Sequence, residues 1–570
     1  MTKETHGSST VRGCTARVRL TMLGTLGIML AMSATAGVAM ARVDGVPLYP
    51  PGGAAYTSTS MSDARMSGPM IAIQATTFPP DGKVQRAAAP APAILGWNAA
   101  HGLNWPVGAY TGKPVAAIQE HPTVYDDDGS VYMAWQQLDD PLTSTWDIYL
   151  WKGDESGPPD GLGVTLVVSG PPGTNQVSPS LGSVHENDGE HVVLAWVDDR
   201  DTGGATGEIY MLDLSKDTDH DGTPDWQEAT FDPAAGASSG ILRVDPSGDL
   251  LKGQYDPDVG RTGIYWTDER YSEPKGWGDG TYDTAIYRAA LGDGSPDATV
   301  FFREEAGATN DNAAPRATGS GAAWVRSGPY PSDTPFAKAV GGTGHVVTFV
   351  TNAEPFDAEG DAYALVGGHG GASDADDDIF FYSKQTGQQV PVCNVGGNAG
   401  DVAMNMRRQQ AMPTISQAPG GWRIVWSDAR NLLNTSTTQW DDLAWTLYVA
   451  LVPTVEATDQ VPTPVHIGTP VIITSAVTPN FAGYRVKLEA GKRTVAHDPW
   501  GKDVWYSDWK TLTTKKLNGG SVATWTWKPT AKGTFYLRVY FVGGKKYTDV
   551  GQRKVPHIAN VSPIMKVVVK

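Results

Sequence analysis

The chain has 570 residues, with 44 basic and 62 acidic side chains, a net charge of −18, and 19 Trp and 21 Tyr. This aromatic content excludes an intrinsically disordered chain, because disordered segments are poor in aromatic residues. The negative charge argues against a nucleic-acid-binding protein, since an acidic surface repels phosphate backbones. We therefore expect a folded protein of two or more domains that binds neither DNA nor RNA.

The first 41 residues have the composition of a targeting segment. Basic residues precede an apolar stretch, Leu20–Ala34, and Val38–Ala41 fits a small-residue cleavage site. The alternative is a single membrane anchor, but a bilayer span needs roughly 20 apolar residues and this stretch is shorter. We therefore predict a signal peptide at 1–41 and a secreted, extracellular or cell-wall-associated protein without a membrane span after its removal.

The middle of the chain contains an internal repeat. Three stretches share the pattern Trp-x-Asp-x-Arg, namely Trp196–Arg200, Trp266–Arg270 and Trp426–Arg430. A proline precedes each copy, an apolar-Tyr pair follows it, and looser copies begin at Pro122 and Pro315. Several strands per unit of roughly 40 to 50 residues are typical of propeller blades. Because the Trp-x-Asp-x-Arg pattern recurs in each unit, we expect it to stabilise the blades and not to catalyse.

These residues resemble the TolB-like propeller repeat over about residues 115–455. The resemblance implies a five- or six-bladed β-propeller, which we place at 66–455 after a flexible N-terminal segment at 42–65. The copy between Ala314 and Tyr382 matches poorly, and Met66–Trp105 matches weakly. The resemblance implies an architecture only, because propellers serve both as binding scaffolds and as enzymes.

One acidic loop, at 217–228, has the spacing of a calcium-binding loop. Carboxylates occupy positions 1, 3, 5, 9 and 12, and Gly222 occupies position 6, where a sharp turn is needed. The predicted structural Ca²⁺ ligands are the following: Asp217, Asp219, Asp221, the Thr223 carbonyl, Asp225 and Glu228. The flanking residues do not read as the helices of an EF-hand, and the alternative is an acidic surface loop without metal.

A second domain is predicted at 456–570, after a proline-containing linker around Pro453 and 462–464. Residues 457–570 carry 17 basic and 6 acidic side chains, whereas 42–456 carry 23 basic and 55 acidic ones. Six short alternating strands predict an immunoglobulin-like β-sandwich. Its positive charge suits either attachment to an anionic cell wall or attraction to the acidic propeller. Trp500, Trp505 and Trp509 suit either a sugar-stacking platform or packing.

The sequence singles out no catalytic residue, because carboxylates are too numerous for any pair to be chosen. The leading hypothesis is a non-catalytic, monomeric binding or scaffold protein whose partner is an extracellular polysaccharide or a surface protein. The alternative is an extracellular propeller glycan hydrolase or lyase. A carboxylate cluster with raised pKa values in the propeller channel would favour the alternative.

Overall fold

The structure is a computed structural model that describes the chain in separate stretches. They all belong to one compact unit, Val43–Lys570. The described residues are 46–47, 59–67, 69–77, 93–98, 103–105, 118–138, 145–154, 164–185, 189–228, 230–233, 240–246, 252–270, 284–292, 295–303, 311–327, 334–342, 345–346, 353–360, 362–368, 377–393, 410–428, 446–459, 464–498, 501–550 and 553–570. The predicted signal peptide lies outside them. Within these stretches, no helix has the length and apolar character that a membrane crossing requires.

The strands up to residue 453 form seven antiparallel sheets, which we call blades 1 to 7. An isolated N-terminal strand, β1, covers Val46–Pro47. Blade 1 contains β2 (Thr59–Ser67), β3 (Met70–Thr77), β4 (Ala93–Asn98) and β5 (Leu103–Trp105). Blade 2 contains β6 (Ile118–Asp127), β7 (Ser130–Leu138), β8 (Asp147–Asp154) and β9 (Val164–Val168). Blade 3 contains β10 (Gln176–His185), β11 (Glu190–Asp198), β12 (Glu208–Asp213) and β13 (Leu242–Arg243).

The remaining blades follow the same order of four strands. Blade 4 contains β14 (Gln254–Gly260), β15 (Gly263–Asp268), β16 (Ala285–Gly292) and β17 (Ser295–Phe302). Blade 5 contains β18 (Asp311–Ala317), β19 (Gly321–Ser327), β20 (Thr334–Ala339) and β21 (His345–Val346). Blade 6 contains β22 (Ala353–Glu359), β23 (Ala362–Gly368), β24 (Asp377–Ser383) and β25 (Gln388–Cys393). Blade 7 contains β26 (Gln410–Ala418), β27 (Gly421–Asp428) and the first part of β28 (Thr446–Asp459).

The first strand of every blade contacts the first strands of both neighbouring blades, so the seven inner strands form a closed ring. The N-terminal strand β1 completes the last blade, because Val46 pairs with Val449 and Pro47 with Tyr448. The ring is thus closed by strands from both ends of the propeller segment. Such closure leaves few unpaired strand edges.

The observed propeller corrects the predicted blade number from five or six to seven. The poorly matching stretch after Ala314 contains parts of two blades, and the weakly matching stretch from Met66 belongs to blade 1. The predicted flexible segment 42–65 is also wrong in part, since β1 and the start of β2 lie in it. Blades 1 and 6 were hard to recognise because their second strands contain no Trp, whereas blades 2 and 5 keep Trp135 and Trp324.

The Trp-x-Asp-x-Arg pattern builds a buried polar core inside the blades. In blade 3, Trp196 Nε1 donates to Asp198 Oδ2 at 3.0 Å, and Arg200 Nε donates to the same carboxylate at 2.8 Å. Trp196 also stacks on Tyr210 of the paired strand, with ring centroids 6.3 Å apart, and the Arg200 guanidinium lies over that Tyr ring. Trp266 in blade 4 and Trp426 in blade 7 repeat the Trp–Asp hydrogen bond and the Trp–Tyr contact. The pattern therefore has the structural role that its recurrence predicts.

Residues after 453 form a second packed body of two sheets. One sheet contains the end of β28 with β29 (Val471–Thr478) and β32 (Val522–Trp527). The other contains β30 (Arg485–Asp498), β31 (Gly501–Lys516), β33 (Gly533–Phe541), β36 (Asn560–Val561) and β37 (Met565–Val569). Apolar side chains from both sheets, including Ile473, Leu488 and Trp525, form one core. This body is a β-sandwich, and its six predicted strands are all present.

The β-sandwich is joined to the propeller without a linker. Strand β28 runs unbroken from Thr446 to Asp459, so the predicted linker residue Pro453 lies inside a strand. A hairpin of the second body, β34 (Gly544–Val550) and β35 (Arg553–His557), also contacts blade 7, since Leu451 pairs with His557. Hydrogen bonds and a shared strand therefore hold the two bodies together.

Candidate active site in the propeller channel

The inner strands surround a central cavity of about 1040 Å³. Every blade contributes lining residues, and more polar than apolar groups face the space. A cavity of this size can enclose a small organic ligand or several sugar units. The cavity is therefore the candidate active site.

Each inner strand contains a β-bulge, which explains the recurring proline. The residue before the proline has a left-handed φ of 50° to 54° in five blades: His121, Ser178, Asp256, Ala314 and Met412. Proline suits a bulge because it has no N–H to lose from the strand ladder. Non-glycine residues with positive φ are uncommon, and such local strain is often kept at functional sites. Four of these five residues line the channel.

The residue that follows each bulge defines a group that we call the channel ring. Its members are Arg65, Thr123, Ser180, Asp258, Arg316, Asp357 and Thr414. Five of them accept a hydrogen bond from a backbone N–H of the next blade. For example, Leu181 N donates to Thr123 Oγ1 at 3.2 Å, and Met66 N donates to Thr414 Oγ1 at 3.1 Å. These bonds connect successive blades around the channel.

Arg65 and Arg316 are the two exceptions in the channel ring. A guanidinium has no acceptor, so neither side chain can form this inter-blade bond. In blade 6, the N–H of Ala358 turns instead to Asp357 Oδ1 at 3.0 Å. Arg65 and Arg316 act electrostatically on Asp258, and both lower its pKa. At two positions, the channel ring therefore carries a positive charge in place of an acceptor for the inter-blade hydrogen bond.

Three carboxylates with coupled charges line this channel: Asp258, Asp357 and Glu359. Burial raises the pKa of Asp258 to about 6, although Arg316, the N–H of Ala317 and Arg65 act in the opposite direction. Burial and the charge of Asp357 raise the pKa of Glu359 to about 7. Glu359 is exposed and lines the cavity, so its carboxyl group is accessible from the channel. At neutral pH, Glu359 is present in both protonated and ionised forms.

The neighbours of Asp357 hold its carboxylate in a fixed position. Oδ2 accepts hydrogen bonds from Thr414 Oγ1 at 2.7 Å and from Ile415 N at 3.1 Å. Glu359 lies two residues further along the same strand, so both side chains project to the same face of it. The strand therefore presents a held carboxylate beside an acid of raised pKa.

A second charged cluster lies between blades 3 and 4, outside the channel lining. Arg243 contacts Glu208 Oε2 at 3.0 Å, and Arg270 contacts both Asp245 and Asp268. Burial raises the pKa of Glu208 to about 7, against the lowering effect of Arg243. Glu208 has no exposed surface, so no substrate reaches it.

The predicted calcium loop lies between β12 and β13 of blade 3. The carboxylate oxygens of Asp217, Asp219 and Asp221 lie within 4.8 Å of one another. Gly222 has a φ of 90°, and its N–H donates to Asp217 Oδ2 at 2.8 Å. Burial acts to raise the pKa of Asp217, but hydrogen bonds from the loop backbone outweigh it and leave that pKa below its usual value. The other oxygen, Asp217 Oδ1, is buried and has no hydrogen-bond partner. These three residues fit an oxygen-ligated cation.

Asp225 and Glu228 are not part of this carboxylate group among the described residues. Asp225 accepts hydrogen bonds from Thr218 N and Thr218 Oγ1 at 2.7 and 2.6 Å. Glu228 accepts one from Thr230 Oγ1 at 3.1 Å. Asp225 begins a short 3₁₀ helix, Asp225–Gln227, whose Trp226 is buried among side chains of blades 2 and 3. The loop is thus anchored to the propeller at Trp226.

Of the three tryptophans that suit either sugar stacking or packing, only Trp509 has a described side chain. Its ring lies against Gly491, because an added Cβ at Gly491 would approach the ring to 2.7 Å. The Arg538 guanidinium lies 3.9 Å from the centre of the same ring. Packing by Gly491 and Arg538 favours the interpretation of Trp509 as a packed side chain. The side chains of Trp500 and Trp505 lie outside the described residues.

The sequence did carry a signal for the channel carboxylates. Asp258 directly follows the repeated proline, at the position held by Thr123 and Ser180 in other blades. An alignment of the repeats on that proline places Asp258 and Arg316 as charged departures from a hydroxyl position. Asp357 was harder to find, because Phe356 separates it from Pro355.

No protein-family model and no curated protein matches this chain. Among solved structures, it is similar to a Trypanosoma rangeli sialidase in complex with 2,3-difluorosialic acid, at a TM-score of 0.34 and 8% identity, covering 93% of each chain. It is also similar to the GH93 α-L-arabinofuranosidase of Fusarium graminearum, at a TM-score of 0.33 and 10% identity, covering 72% of this chain and 98% of that one. A GH43_1 enzyme from Xanthomonas citri has a TM-score of 0.25 and 13% identity, covering 75% of this chain and 93% of that one.

Proposed function

We propose that this protein is an extracellular glycan hydrolase whose active site is the propeller channel. The observation that carries the proposal is the set of Asp258, Asp357 and Glu359, which line one cavity and two of which have raised pKa values. A carboxylate cluster with raised pKa values in the channel is the feature that favours an enzyme over a non-catalytic scaffold. Paired carboxylates with different proton affinities are what glycoside hydrolysis requires.

The two carboxyl groups of β22 suit different roles in hydrolysis. Glu359 is protonated in part at neutral pH, so it can donate a proton to the departing glycosidic oxygen. Asp357, which is held by Thr414 and Ile415, can accept a proton from the attacking water or stabilise positive charge on the sugar ring. The glycosidic bond breaks, water adds to the sugar carbon, and the water proton returns to the protein.

The first test is incubation of the intact mature protein with a panel of polysaccharides and cell-wall preparations in the presence of calcium. New reducing ends in solution are measured, together with loss of the protein from solution. Release of product that disappears in Glu359→Gln and persists in Glu208→Gln supports the proposal. Glu208 is a matched control, because its pKa is also raised to about 7 and it lies outside the channel. Depletion of protein without product would reject hydrolysis.

A non-catalytic binding role remains the second candidate, for a specific reason. Asp258 and Asp357 accept inter-blade hydrogen bonds, which is the role of Thr123 and Ser180 in other blades. A carboxylate that connects two blades has a structural role that requires no catalysis. In that case the protein binds polysaccharide or a surface protein, and the same incubation gives depletion alone.

We further propose a structural Ca²⁺ held by Asp217, Asp219 and Asp221, with Thr223, Asp225 and Glu228 completing the set. The unpartnered, buried Asp217 Oδ1 supports this proposal, as does the convergence of the three carboxylates. Asp225 and Glu228 would have to leave their threonine partners to bind the ion. Calorimetry of the intact protein with CaCl₂ tests it, and an absence of binding heat in both wild type and Asp219→Asn would reject it.

We also propose that the protein is exported through the predicted signal peptide and is a monomer. We propose further that its repeats are related to the TolB-like repeat and that its sandwich is immunoglobulin-like. The proposal of export is supported by the basic and apolar pattern of residues 1–41. Sequencing of the N-terminus of secreted protein tests it, and a mature chain that retains residues 1–41 would contradict it.

A further inference from the structure

A second, smaller cavity of about 290 Å³ lies at the hairpin end of blades 3 to 5. We call it the hairpin pocket. Three basic side chains and an apolar wall line it: His185, Arg261, Arg288, Val184, Leu291 and Val340, with Thr262, Ala290 and Gly319 between them. None of the described residues that line it is acidic. This stands out in a segment that has 55 acidic and only 23 basic side chains.

One basic side chain of the hairpin pocket, Arg288, is held by the fold. Arg288 Nε donates to the carbonyl oxygen of Thr262 at 2.8 Å, which fixes the guanidinium beside the pocket. The N–H of His185 donates to the carbonyl oxygen of Arg261 at 2.9 Å, so the hairpins of blades 3 and 4 are joined there. A fixed guanidinium binds an anion with a smaller loss of side-chain entropy than a mobile one.

The hairpin pocket adjoins the channel. Arg261 and Gly319 line both cavities. Gly319 N also donates to the carbonyl oxygen of Gly360 at 3.0 Å, which brings the blade 5 hairpin against the residue that follows Glu359. A Cβ at Gly319 would lie 3.3 Å from the Gly360 Cα, so the absence of a side chain permits this close approach. The pocket is therefore at the same end of the channel as Glu359.

We propose that the hairpin pocket binds an acidic sugar unit of the glycan, with its carboxylate or sulfate at Arg261 and Arg288 and its ring against the apolar wall. This inference rests on the proposed function and deepens it, because it makes the substrate an anionic polysaccharide. Guanidinium groups pair strongly with planar or tetrahedral oxyanions. Leu291 and Val340 supply the apolar surface on which a sugar ring packs.

The test is a binding measurement on the intact protein with three trisaccharides that share one scaffold: trigalactose, trigalacturonate and a 6-sulfated trigalactose. We expect both charged trisaccharides, or one of them, to bind about tenfold more tightly than trigalactose, since a charge-assisted hydrogen bond contributes on the order of one such factor. Preference for the carboxylate or for the sulfate identifies which acidic unit the pocket takes. Equal affinity for all three would overturn the proposal.

Variants separate the pocket from general electrostatic attraction. Arg261 is exposed, so Arg261→Gln should fold normally and should lose the preference for charge. Arg493→Gln is the matched control, because Arg493 is an exposed arginine in the β-sandwich. Equal losses in the two variants would overturn the proposal, and His185→Gln provides a second variant at the pocket itself. Hydrolysis by the wild-type protein is measured in parallel, so that a wild type that prefers the charged trisaccharides without hydrolysing any glycan disproves the enzyme and not the pocket.

Discussion

Glu208 and Glu359 share a raised pKa of about 7 but occupy different regions of the propeller. Glu208 lies between blades 3 and 4, pairs with Arg243 and has no exposed surface. Glu359 lines the channel, and its main charged neighbour is the like-charged Asp357. A raised pKa alone therefore does not identify an active site here. Access from the channel and a like-charged neighbour distinguish the group that can do chemistry from the one that stabilises the fold.

The largest expected effect is on activity. Glu359→Gln should reduce hydrolysis of a polysaccharide substrate by about 10² to 10⁴-fold, because a general acid contributes a factor of that size. The amide cannot donate the proton, although it keeps the shape of the side chain. Initial rates of reducing-end release measure the loss. Glu208→Gln is expected to keep a rate within about twofold of wild type, and equal losses in the two variants would erase the distinction between the regions.

The next effect is on the stability of the blades. Asp198→Ala should lower the free energy of unfolding by about 3 to 5 kcal/mol, because it leaves Arg200 and the Trp196 N–H without their buried partner. Denaturant unfolding followed by tryptophan fluorescence measures this. Asp128→Asn, at an exposed hairpin turn, is the control, and a similar loss there would contradict a special role for the blade core.

The third prediction concerns pH. A carboxyl group whose pKa is raised on folding stabilises the fold below its unfolded pKa, and this contribution is lost as pH rises through the folded value. For Glu208 that window runs from the ordinary glutamate pKa of 4.5 to a pKa of about 7. Between pH 5 and pH 8, the free energy of unfolding should therefore fall by roughly 1 to 3 kcal/mol less in Glu208→Gln than in wild type. Parallel pH profiles of unfolding for wild type and variant would disagree with this.

The smallest expected effect is that of calcium removal. Chelation should lower the thermal midpoint by a few degrees, since a ligand at about ten times its Kd stabilises the folded state by about 1.4 kcal/mol. The midpoint of wild type is measured in calcium at about 1 mM and in chelator, and the midpoint of Asp219→Asn is measured in the same calcium, because weak extracellular sites fill in that range. The variant should behave in calcium as wild type does in chelator. A calcium response that survives in the variant would remove the loop from consideration.

The sequence predicted much of the fold because the relevant signals are local. Alternating apolar residues, turn residues and the repeated Trp-x-Asp-x-Arg pattern indicate antiparallel strands without knowledge of the tertiary structure. The β-sandwich strands were located for the same reason. The blade number was wrong because blades 1 and 6 keep the strand geometry but have no Trp in the second strand.

The channel site needed the tertiary structure. Asp258 and Asp357 are 99 positions apart in number and in different blades, and only closure of the ring of inner strands places them in one cavity. The hairpin pocket is a similar case, since His185, Arg261 and Arg288 come from two blades. The sequence by itself determined the repeated blade, its buried Trp and Asp pair and the acidic loop, because each depends on residues close in the chain. The closure of seven blades decided which charges meet and which of them solvent can reach, because the energy of a buried charge depends on neighbours that the chain order does not reveal.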